Sequence, residues 1–225
     1  KVLISVTHSG HAQAMSMHNA GMPDYPPHDS RELQAFLRPA QEPMRNVSDA
    51  LVHAILLADL PAYLDFLEQA LRDIADGATQ LILPPKAVFE DGPGQGDFRV
   101  MPCVTRHGNR VIKSVKVVGT NIVQRQVPDQ VTVGKAMLLD AEENHVTHLF
   151  DANALSSIRT GACIALAVKL LASQRQGIRL FGAGRVGFYG AAALCALGGV
   201  ASMEIIDPVP NRADALARHL ASRNA

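Results

Sequence analysis

The chain has 225 residues, of which 48% are hydrophobic, and its 21 basic and 21 acidic residues give a formal net charge of zero. This balance, together with an aromatic content of only 4% and the absence of tryptophan, argues against a nucleic acid or a membrane surface as the main partner, because both usually require a basic excess. No apolar run reaches the roughly 18 residues of a membrane span, and the three scattered cysteines (Cys103, Cys163, Cys195) are typical of free thiols in a reducing compartment, so we expect a cytoplasmic protein.

Residues 1–50 are rich in proline and turn-forming residues, and we interpret them as an N-terminal extension or arm. The arm contains four histidines: His8, His11, His18 and His28. A metal site and a polar loop that happens to hold histidines are the two interpretations. We favour the loop and predict no metal site, because no cysteine or carboxylate joins the histidines at the spacing of metal ligands.

From Leu51 the pattern changes to apolar residues at helical spacing. Asp59 precedes Leu60 and Pro61, which predicts a helix start, and Gly77 follows as a stop signal. Strand-like segments come next: residues 78–89, 98–105 and 110–121, then a hairpin over residues 131–151 with its turn at residues 141–144. A helix followed by adjacent strands indicates an α+β or open-barrel domain, which we assign to residues 51–176.

Residues 151–174 predict a strong helix that Asp151 or Asn153 could cap, with Leu155, Ala162, Leu166 and Leu170 near one stripe. Arg159 shares that stripe, and a buried guanidinium must find an anion because an unpaired buried charge is very costly. The anion could be a structural aspartate or a substrate carboxylate, which a forked donor holds through two hydrogen bonds.

A glycine loop begins after the apolar segment IRLF, where GAGRVG has the spacing G-x-G-x-x-G. In a dinucleotide site Gly182 permits the tight turn, Gly184 lets backbone N–H groups approach the pyrophosphate, and Gly187 allows close packing of the helix on the strand. Asp207 ends the second strand at the offset of a ribose-binding acid, which favours NAD over NADP. The alternative is a glycine-rich turn without a ligand. We expect residues 177–225 to be the first part of a Rossmann-type dinucleotide-binding domain.

Three lysines of the predicted strands are candidates for a site. Lys113 and Lys116 are three positions apart, an odd spacing, so on a strand they point to opposite faces and one of them is expected to face a pocket or a partner. Lys86 follows Pro84 and Pro85, which hold it rigidly at a strand end.

The segment ALSSIRTGACIALAVKLLA followed by GIRLFGAG resembles the ornithine cyclodeaminase/μ-crystallin family, whose hallmark is an arginine–threonine–small–small helix leading into the nucleotide strand. Further matches follow in order: LPPK, FRVMP, VKVVGTN and AMLLDAEENH. The resemblance covers the chain from about Leu51 to its end, and this ordered series is more specific than any single motif.

The resemblance implies a homodimer of two-domain subunits, in which a substrate and dimerisation domain of the α+β class precedes the Rossmann-type domain. It implies that Lys86, Lys116 and Arg159 hold an α-carboxylate, with Lys116 and Arg159 catalytic. It also implies a cofactor, NAD, with these binding residues: Thr160, Gly182, Gly184, Arg185, Val186, Gly187 and Asp207.

Three features depart from the family pattern. Lys86 stands where the family commonly has arginine, and Arg185, Val186 and Gly187 replace a loop that often reads Gly-x-Gly-x-Gln-Ala. The family's catalytic aspartate belongs to the later half of the Rossmann domain, which lies outside this sequence. The lysine and the GRVG loop look more like the branch that makes amino-acid conjugates for siderophores.

The resemblance implies an NAD-dependent enzyme that acts on an L-amino acid through hydride transfer and an imine, such as a cyclodeaminase of ornithine or a related amino acid. The alternatives are a synthase that condenses two amino acids for siderophore or diaminopropionate biosynthesis, a ketimine reductase, and a non-catalytic protein that binds NAD(P)H or a small ligand. Lys116 could stabilise charge or transfer a proton.

Overall fold

A computed structural model describes residues 31, 44–90, 92, 96–120 and 132–223. The chain divides into two compact units, Lys1–Gln41 and Glu42–Ala225, and every element named below belongs to the second. The four histidines of the predicted arm lie outside the described residues. The predicted domain boundaries at residues 50 and 176 remain predictions.

Seven strands of the described residues form a mixed sheet: Arg45–Val47 (β1), Thr79–Ile82 (β2), Ala87–Glu90 (β3), Asp97–His107 (β4), Arg110–Thr120 (β5), Thr132–Leu139 (β6) and Val146–Asp151 (β7). Their order is β1-β7-β6-β5-β4-β2, with β3 also paired to β4. The pairs are antiparallel except that β1 runs parallel to β7, and β1 belongs to the residues that were predicted to form the arm. The predicted turn between β6 and β7 is confirmed, since the Asp140 amide donates to the His145 carbonyl (2.8 Å) across it.

The apolar segment before β2 forms two separate helices. Helix α1 covers Asp49–Ala58 and α2 covers Leu60–Ala75, and their axes bend by 93° at Asp59. The bend follows from the predicted cap, because the Asp59 carboxylate accepts a hydrogen bond from the Ala62 amide (3.0 Å) and starts a new helix. Gly77 ends the region with a φ of +77°, as a helix stop requires.

Helix α3 covers Ala152–Leu171 and forms the centre of the core. By length and composition it could cross a membrane, but its buried residues pack against neighbouring helices, as those of a core helix do. The predicted stripe is only partly correct. Ile158, Ala162 and Leu166 are buried, whereas Leu170 is 56% exposed.

The last elements form a Rossmann-type β-α-β unit. Strands β8 (Gly177–Phe181) and β9 (Ser202–Ile206) pair in parallel, helix α4 (Arg185–Leu197) connects them, and α5 (Arg212–Arg223) follows. Parallel strands joined by a crossover helix are the repeating unit of dinucleotide-binding sheets. The predicted Rossmann-type fold of this part of the chain is therefore confirmed.

Helices α3 and α4 touch backbone to backbone at two glycines. A Cβ added to Gly161 would lie 2.5 Å from the Gly190 nitrogen and 2.8 Å from the Tyr189 Cβ, so no larger residue fits there without movement. Side chains on both sides of this crossing, including Leu194 and Ile158, are almost fully buried. The close crossing joins the β-α-β unit to the rest of the core.

Candidate functional site

A cleft of about 680 Å³ lies between the mixed sheet, helix α3 and the glycine loop that connects β8 to α4. The sheet contributes residues of β4, β5 and β6, and α3 contributes polar side chains from its first turns. The described residues that line the cleft are Lys86, Arg99, Met101, Lys116, Val118, Thr132, Gly134, Ala152, Asn153, Ser156, Ser157, Thr160, Ile164, Leu180, Phe181, Gly182, Gly184, Arg185, Val186 and Gly187.

The cleft brings together most of the predicted site residues and leaves out two of them. Those that line it are Lys86, Lys116, Thr160, Gly182, Gly184, Arg185, Val186 and Gly187. Arg159 and Asp207 do not line it. The sheet lysines and the glycine loop are at least 66 positions apart in the sequence and share one cavity. Their predicted roles toward a ligand remain predictions.

Lys116 is the lysine of β5 that faces the cleft, and Lys113 faces away, as the odd spacing predicted. Lys113 Nζ donates to the Asn144 side-chain oxygen (2.5 Å) at the β6–β7 turn. Lys116 is partly buried, and burial lowers the pKa of its ammonium group; the positive charge of Arg159 lowers it further. A cation in this environment gains from an anionic ligand, because the ligand offsets both effects.

Arg159 occupies a different environment from the one expected. Its side chain is exposed, although the stripe pattern predicted a buried guanidinium. The helix turns so that Ile158 and Ala162 face the core, and Arg159 lies beside that face. Among the described residues no carboxylate forms an ion pair with Arg159, while its charge acts on Lys116 and on Tyr63. The cation is therefore close to the cleft even though it does not line it.

The glycine loop has the geometry that each glycine was expected to provide. Gly182 has a φ of +98°, which side chains rarely adopt. A Cβ on Gly187 would lie 1.9 Å from the Gly182 carbonyl oxygen, so the start of α4 rests directly on the loop. Gly184 has nothing within 4 Å of an added Cβ and is the N-cap of α4, with no side-chain cap. The first amides of a helix have no acceptor within it, and such a helix start is suited to an anion.

Asp207 holds the loop from the neighbouring strand. Its carboxylate accepts hydrogen bonds from the Ala183 amide (2.6 Å) and from the Val209 amide (2.8 Å). These two bonds, the Ala183 bond first, lower the pKa of the Asp207 carboxyl. The sequence predicted a ribose ligand at this position; the structure adds a second role, because the same carboxylate fixes the backbone between the first two glycines.

Arg185 and Asn153 connect the elements around the cleft. The Arg185 guanidinium donates to the Thr132 carbonyl (3.0 Å), which joins the glycine loop to the start of β6. The Asn153 side-chain oxygen accepts from the Gly134 amide (3.1 Å), so the first turn of α3 is held against β6. On the same helix the Thr160 hydroxyl donates to the Ser156 carbonyl (2.8 Å), and its oxygen remains able to accept a hydrogen bond.

Sequence reasoning missed Arg99, which lines the cleft from β4. Arg99 lies opposite Val118 in the register of β4 and β5, two residues from Met101, which lies opposite Lys116. The strand FRVMP indicated that Arg99 and Met101 share one face of the sheet, since side chains alternate along a strand. That face could be assigned to the cleft only with the strand register known.

The charge of the cleft lining is entirely positive. Its ionisable residues are Lys86, Arg99, Lys116 and Arg185, and no aspartate or glutamate is among the described lining residues. A cleft with charges of one sign concentrates ligands of the opposite sign. The arrangement is therefore suited to a ligand with several negative charges.

Solved structures with the same fold include three enzymes of amino-acid metabolism. An archaeal alanine dehydrogenase dimer with bound NAD matches with a TM-score of 0.66 and 22% identity, over 80% of this chain and 53% of that one. The Thermococcus litoralis Δ1-pyrroline-2-carboxylate reductase, in complex with NADH and L-proline, matches with a TM-score of 0.67 and 20% identity, over 80% and 54%. A lysine cyclodeaminase that recognises L-lysine, L-ornithine and L-2,4-diaminobutyric acid matches with a TM-score of 0.67 and 22% identity, over 82% and 55%.

The chain spans about half the length of each of these proteins. No curated protein matches the sequence significantly. The sequence pattern of the ornithine cyclodeaminase/mu-crystallin family, however, matches residues 43–224. This range contains the cleft, the cationic side chains and the glycine loop. The chain therefore belongs to the ornithine cyclodeaminase/mu-crystallin family.

Proposed function

We propose that this chain is part of an NAD-dependent enzyme that acts on an L-amino acid through hydride transfer and an imine. The observation that carries the proposal is the shared cleft, in which Lys86 and Lys116 lie in one cavity with Gly184 and Arg185 of the glycine loop. Family membership and the NAD- or NADH-bound structures of the same fold support it.

The glycine loop fits a dinucleotide on three observations. The positive φ of Gly182 makes the turn, the space around Gly184 leaves the backbone open to a phosphate, and the uncapped start of α4 offers amide donors with a partial positive charge. Asp207 adds a carboxylate at the end of β9, where a ribose hydroxyl could donate to its remaining lone pairs. This carboxylate would repel a 2′-phosphate, which favours NAD(H).

When bound, NAD⁺ would supply the hydride acceptor for Cα, and the substrate would become an imine as its amino group also loses a proton. In this proposal Lys86 and Lys116 would hold the substrate carboxylate, Arg159 would add positive charge beside Lys116, and Thr160, which lines the cleft, would contact the cofactor. In cyclodeamination the side-chain amine of the substrate would displace ammonia from the imine carbon, and the reduced cofactor would give the hydride back, so that no net oxidation occurs.

A homodimer is part of the proposal, and an exposed apolar face at the edge of the mixed sheet supports it. Phe89 on β3 and Phe98 on β4 stack with their ring centroids 4.7 Å apart, yet they are 48% and 43% exposed. Leu83, in the connection between β2 and β3, is 62% exposed. An apolar patch of this kind marks an interaction surface more often than a bare monomer surface.

The decisive experiment is incubation of the protein with NAD⁺ and a panel of L-amino acids, with ammonia, NADH and product mass measured together. Cyclodeamination releases ammonia and a cyclic product without accumulating NADH. A condensed product of two amino acids would indicate the synthase. In a parallel incubation with NADH and a cyclic imine, net NADH consumption would indicate the reductase. Tight NADH binding with no turnover of any substrate would identify a binding protein and contradict the proposal.

The Arg159→Ala variant tests the predicted catalytic arginine. Turnover should be lost while NADH binding stays nearly intact, because the side chain is exposed and has no partner that the fold depends on among the described residues. Loss of folding in this variant would instead assign Arg159 a structural role.

A further inference from the structure

Arg99 lies close to the two cleft lysines, Lys86 and Lys116, but has no role in the predicted α-carboxylate site. Met101 lies opposite Lys116 on β5, and the pairing of Ala87 with Val100 brings Lys86 to the other side of Met101. The two lysines thus flank one position of β4. Arg99 lies two residues farther along the same face, as a diagonal neighbour of Lys116, and such neighbours are about 7–8 Å apart.

The hydrogen bonds of Arg99 are incomplete. One terminal nitrogen donates to an Asp97 carboxylate oxygen (2.6 Å). Arg99 Nε is buried and has no acceptor among the described residues, and the second carboxylate oxygen of Asp97 is likewise unsatisfied. A guanidinium carries five N–H donors in a fixed fork, and a buried donor without a partner destabilises the fold until an acceptor arrives.

The remaining N–H donors of Arg99 point to a second acidic group on the ligand. The pyrophosphate of a dinucleotide would meet Arg185 and the start of α4, and one α-carboxylate would meet Lys86 and Lys116. The ion pair with Asp97 uses one terminal nitrogen of Arg99 (2.6 Å). The Arg99 side chain is 36% exposed and lines the cleft, whereas Asp97 does not line it, so donors beyond this ion pair can serve a ligand.

We propose that the cleft selects an amino acid whose side chain ends in a second carboxylate, and that Arg99 is the residue that binds this group. The proposal rests on the proposed function, since it places the α-carboxylate at Lys86 and Lys116. A side chain that ends in a carboxylate has no amine for ring closure, so the proposal keeps the hydride transfer and the imine of that function and excludes cyclodeamination as the overall reaction. Planar two-point recognition of a carboxylate is what a guanidinium provides and an ammonium does not. Arg99 therefore determines specificity, while the lysines bind the group common to all amino acids.

The test is calorimetric binding to the NADH-loaded protein, which gives dead-end complexes and needs no turnover. L-Glutamate and L-aspartate are compared with L-glutamine and L-asparagine, which have nearly the same shape but no second charge. Arg99→Met removes the fork and keeps the apolar stem, Arg99→Lys keeps the charge, and Arg110→Met is the matched control on the exposed end of β5. Thermal unfolding of each variant shows whether it is folded. If Arg99→Met does not fold, the comparison is made with Arg99→Lys instead.

The expected result is a preference of the wild type for each acid over its amide. Arg99→Met should reduce acid binding by about 10- to 100-fold, as expected for a lost hydrogen bond to a charged group, with amide binding unchanged. Arg99→Lys should keep part of the preference, and Arg110→Met should keep all of it.

Equal binding of acids and amides by the wild type would overturn the proposal. An equal loss of acid and amide binding in Arg99→Met, with a lower unfolding temperature in both Arg99→Met and Asp97→Asn, would overturn it by showing that Arg99 only pairs with Asp97. Tighter binding of O-phospho-L-serine than of either acid would overturn the carboxylate assignment in favour of phosphate. Selective acid binding without hydride transfer to NAD⁺ would contradict the proposed function alone, and binding of no amino acid would contradict both.

Discussion

The Asp49 carboxylate accepts a hydrogen bond from the Ala154 amide (2.8 Å), and the Asp49 amide donates to the Asp151 carboxylate (3.3 Å). These two hydrogen bonds join the starts of two helices across 105 and 102 positions of the chain, respectively. Asp49 opens α1 and Ala154 lies in the first turn of α3, the helix that lines the cleft with Asn153 and Thr160. The exchange fixes the position of α3 at its cleft end.

Replacing Asp49 with alanine should destabilise the protein by about 1 kcal/mol, the usual cost of a lost helix cap. The Ala154 amide would lose its acceptor at a buried residue. Urea unfolding of Asp49→Ala measures the change, and Asp65→Ala on the exposed face of α2 is the control, with a change of no more than about 0.5 kcal/mol. Equal stability of the two variants would show that the link between α1 and α3 contributes nothing.

Two substitutions in the glycine loop should separate folding from cofactor binding. Gly187→Ala places a Cβ 1.9 Å from the Gly182 carbonyl oxygen and should destabilise the fold by about 1–3 kcal/mol through overpacking. Gly184→Ala meets nothing within 4 Å and has a φ of −77°, so its unfolding temperature should match the wild type.

The same pair of variants should differ in NADH binding, measured by the fluorescence of the bound nicotinamide. Gly184→Ala should bind more weakly despite its normal stability, because the methyl group occupies the space through which a phosphate reaches the loop. Unchanged NADH binding in a fully folded Gly184→Ala would contradict the assignment of this loop as the nucleotide site.

Lys116 should show opposite effects on stability and on binding. Burial and the charge of Arg159 lower its pKa, so the fold disfavours the charged form. Lys116→Met should therefore unfold at the same or a higher temperature than the wild type at neutral pH, while its affinity for an amino acid in the presence of NADH falls. Lys113→Met, on the opposite face of β5, should leave amino-acid binding unchanged.

The pH dependence of stability follows from the same shift. Between the lowered pKa of Lys116 in the fold and the usual lysine value, the unfolded chain binds more protons than the folded one, so stability rises with pH in that window. Lys116→Met lacks this titrating group, so its free energy of unfolding should rise less with pH across the alkaline range than that of the wild type. Parallel pH profiles for the two proteins would contradict the burial of this ammonium group.

Asp207 should determine the choice between NADH and NADPH. Asp207→Ala removes the carboxylate that would repel a 2′-phosphate, so the ratio of the two dissociation constants should move toward NADPH. Glu204→Ala on the exposed side of β9 is the control and should leave the ratio unchanged. A ratio that does not change in Asp207→Ala would restrict this residue to holding the Ala183 amide.

The contribution of Asp207 to stability has a defined pH range. Its carboxyl pKa is lowered in the fold, so the stabilising bonds to Ala183 and Val209 are present above the usual aspartate pKa and are lost as the pH falls through the folded value. The difference in unfolding temperature between the wild type and Asp207→Ala should thus shrink on acidification.

The exposed phenylalanines at the sheet edge should hold a dimer together. Phe89→Ser should shift the protein from dimer to monomer in sedimentation experiments, since large apolar side chains dominate interface energetics. Phe66→Ser is the control, because Phe66 on α2 is 68% exposed but lies outside the stacked pair. A wild type that sediments as a monomer would contradict the proposal of a homodimer.

Local signals in the sequence predicted the local parts of the fold. The cap at Asp59, the turn between β6 and β7 and the turn at Gly182 depend on neighbouring residues, and each has the predicted geometry. The opposite faces of Lys113 and Lys116 follow from the two-residue period of a strand, and the register confirms them.

Features that depend on distant pairing were beyond the sequence. The parallel pairing of β1 with β7 and the bond from Ala154 to Asp49 join residues about 100 positions apart, and no local pattern encodes them. Arg99 was missed for the same reason, because only the pairing register of β4 with β5 shows that Arg99 lies on the same face as Lys116. Arg159 was expected to be buried, but it is exposed. The helical period shows that a helix has an apolar stripe, but it does not fix the centre of the stripe closely enough to say whether Arg159 or its neighbour Ile158 faces the core.

The backbone contact between Gly161 and Gly190 has a mechanical consequence. Two helices that meet without intervening side chains have no rotamers to rearrange at their crossing, and close-packed interiors resist deformation. Thr160, next to the contact, and the glycine loop, one turn before it, must then move together as one rigid block. Any opening of the cleft has to come from the sheet side, where the Arg185 guanidinium donates to the Thr132 carbonyl.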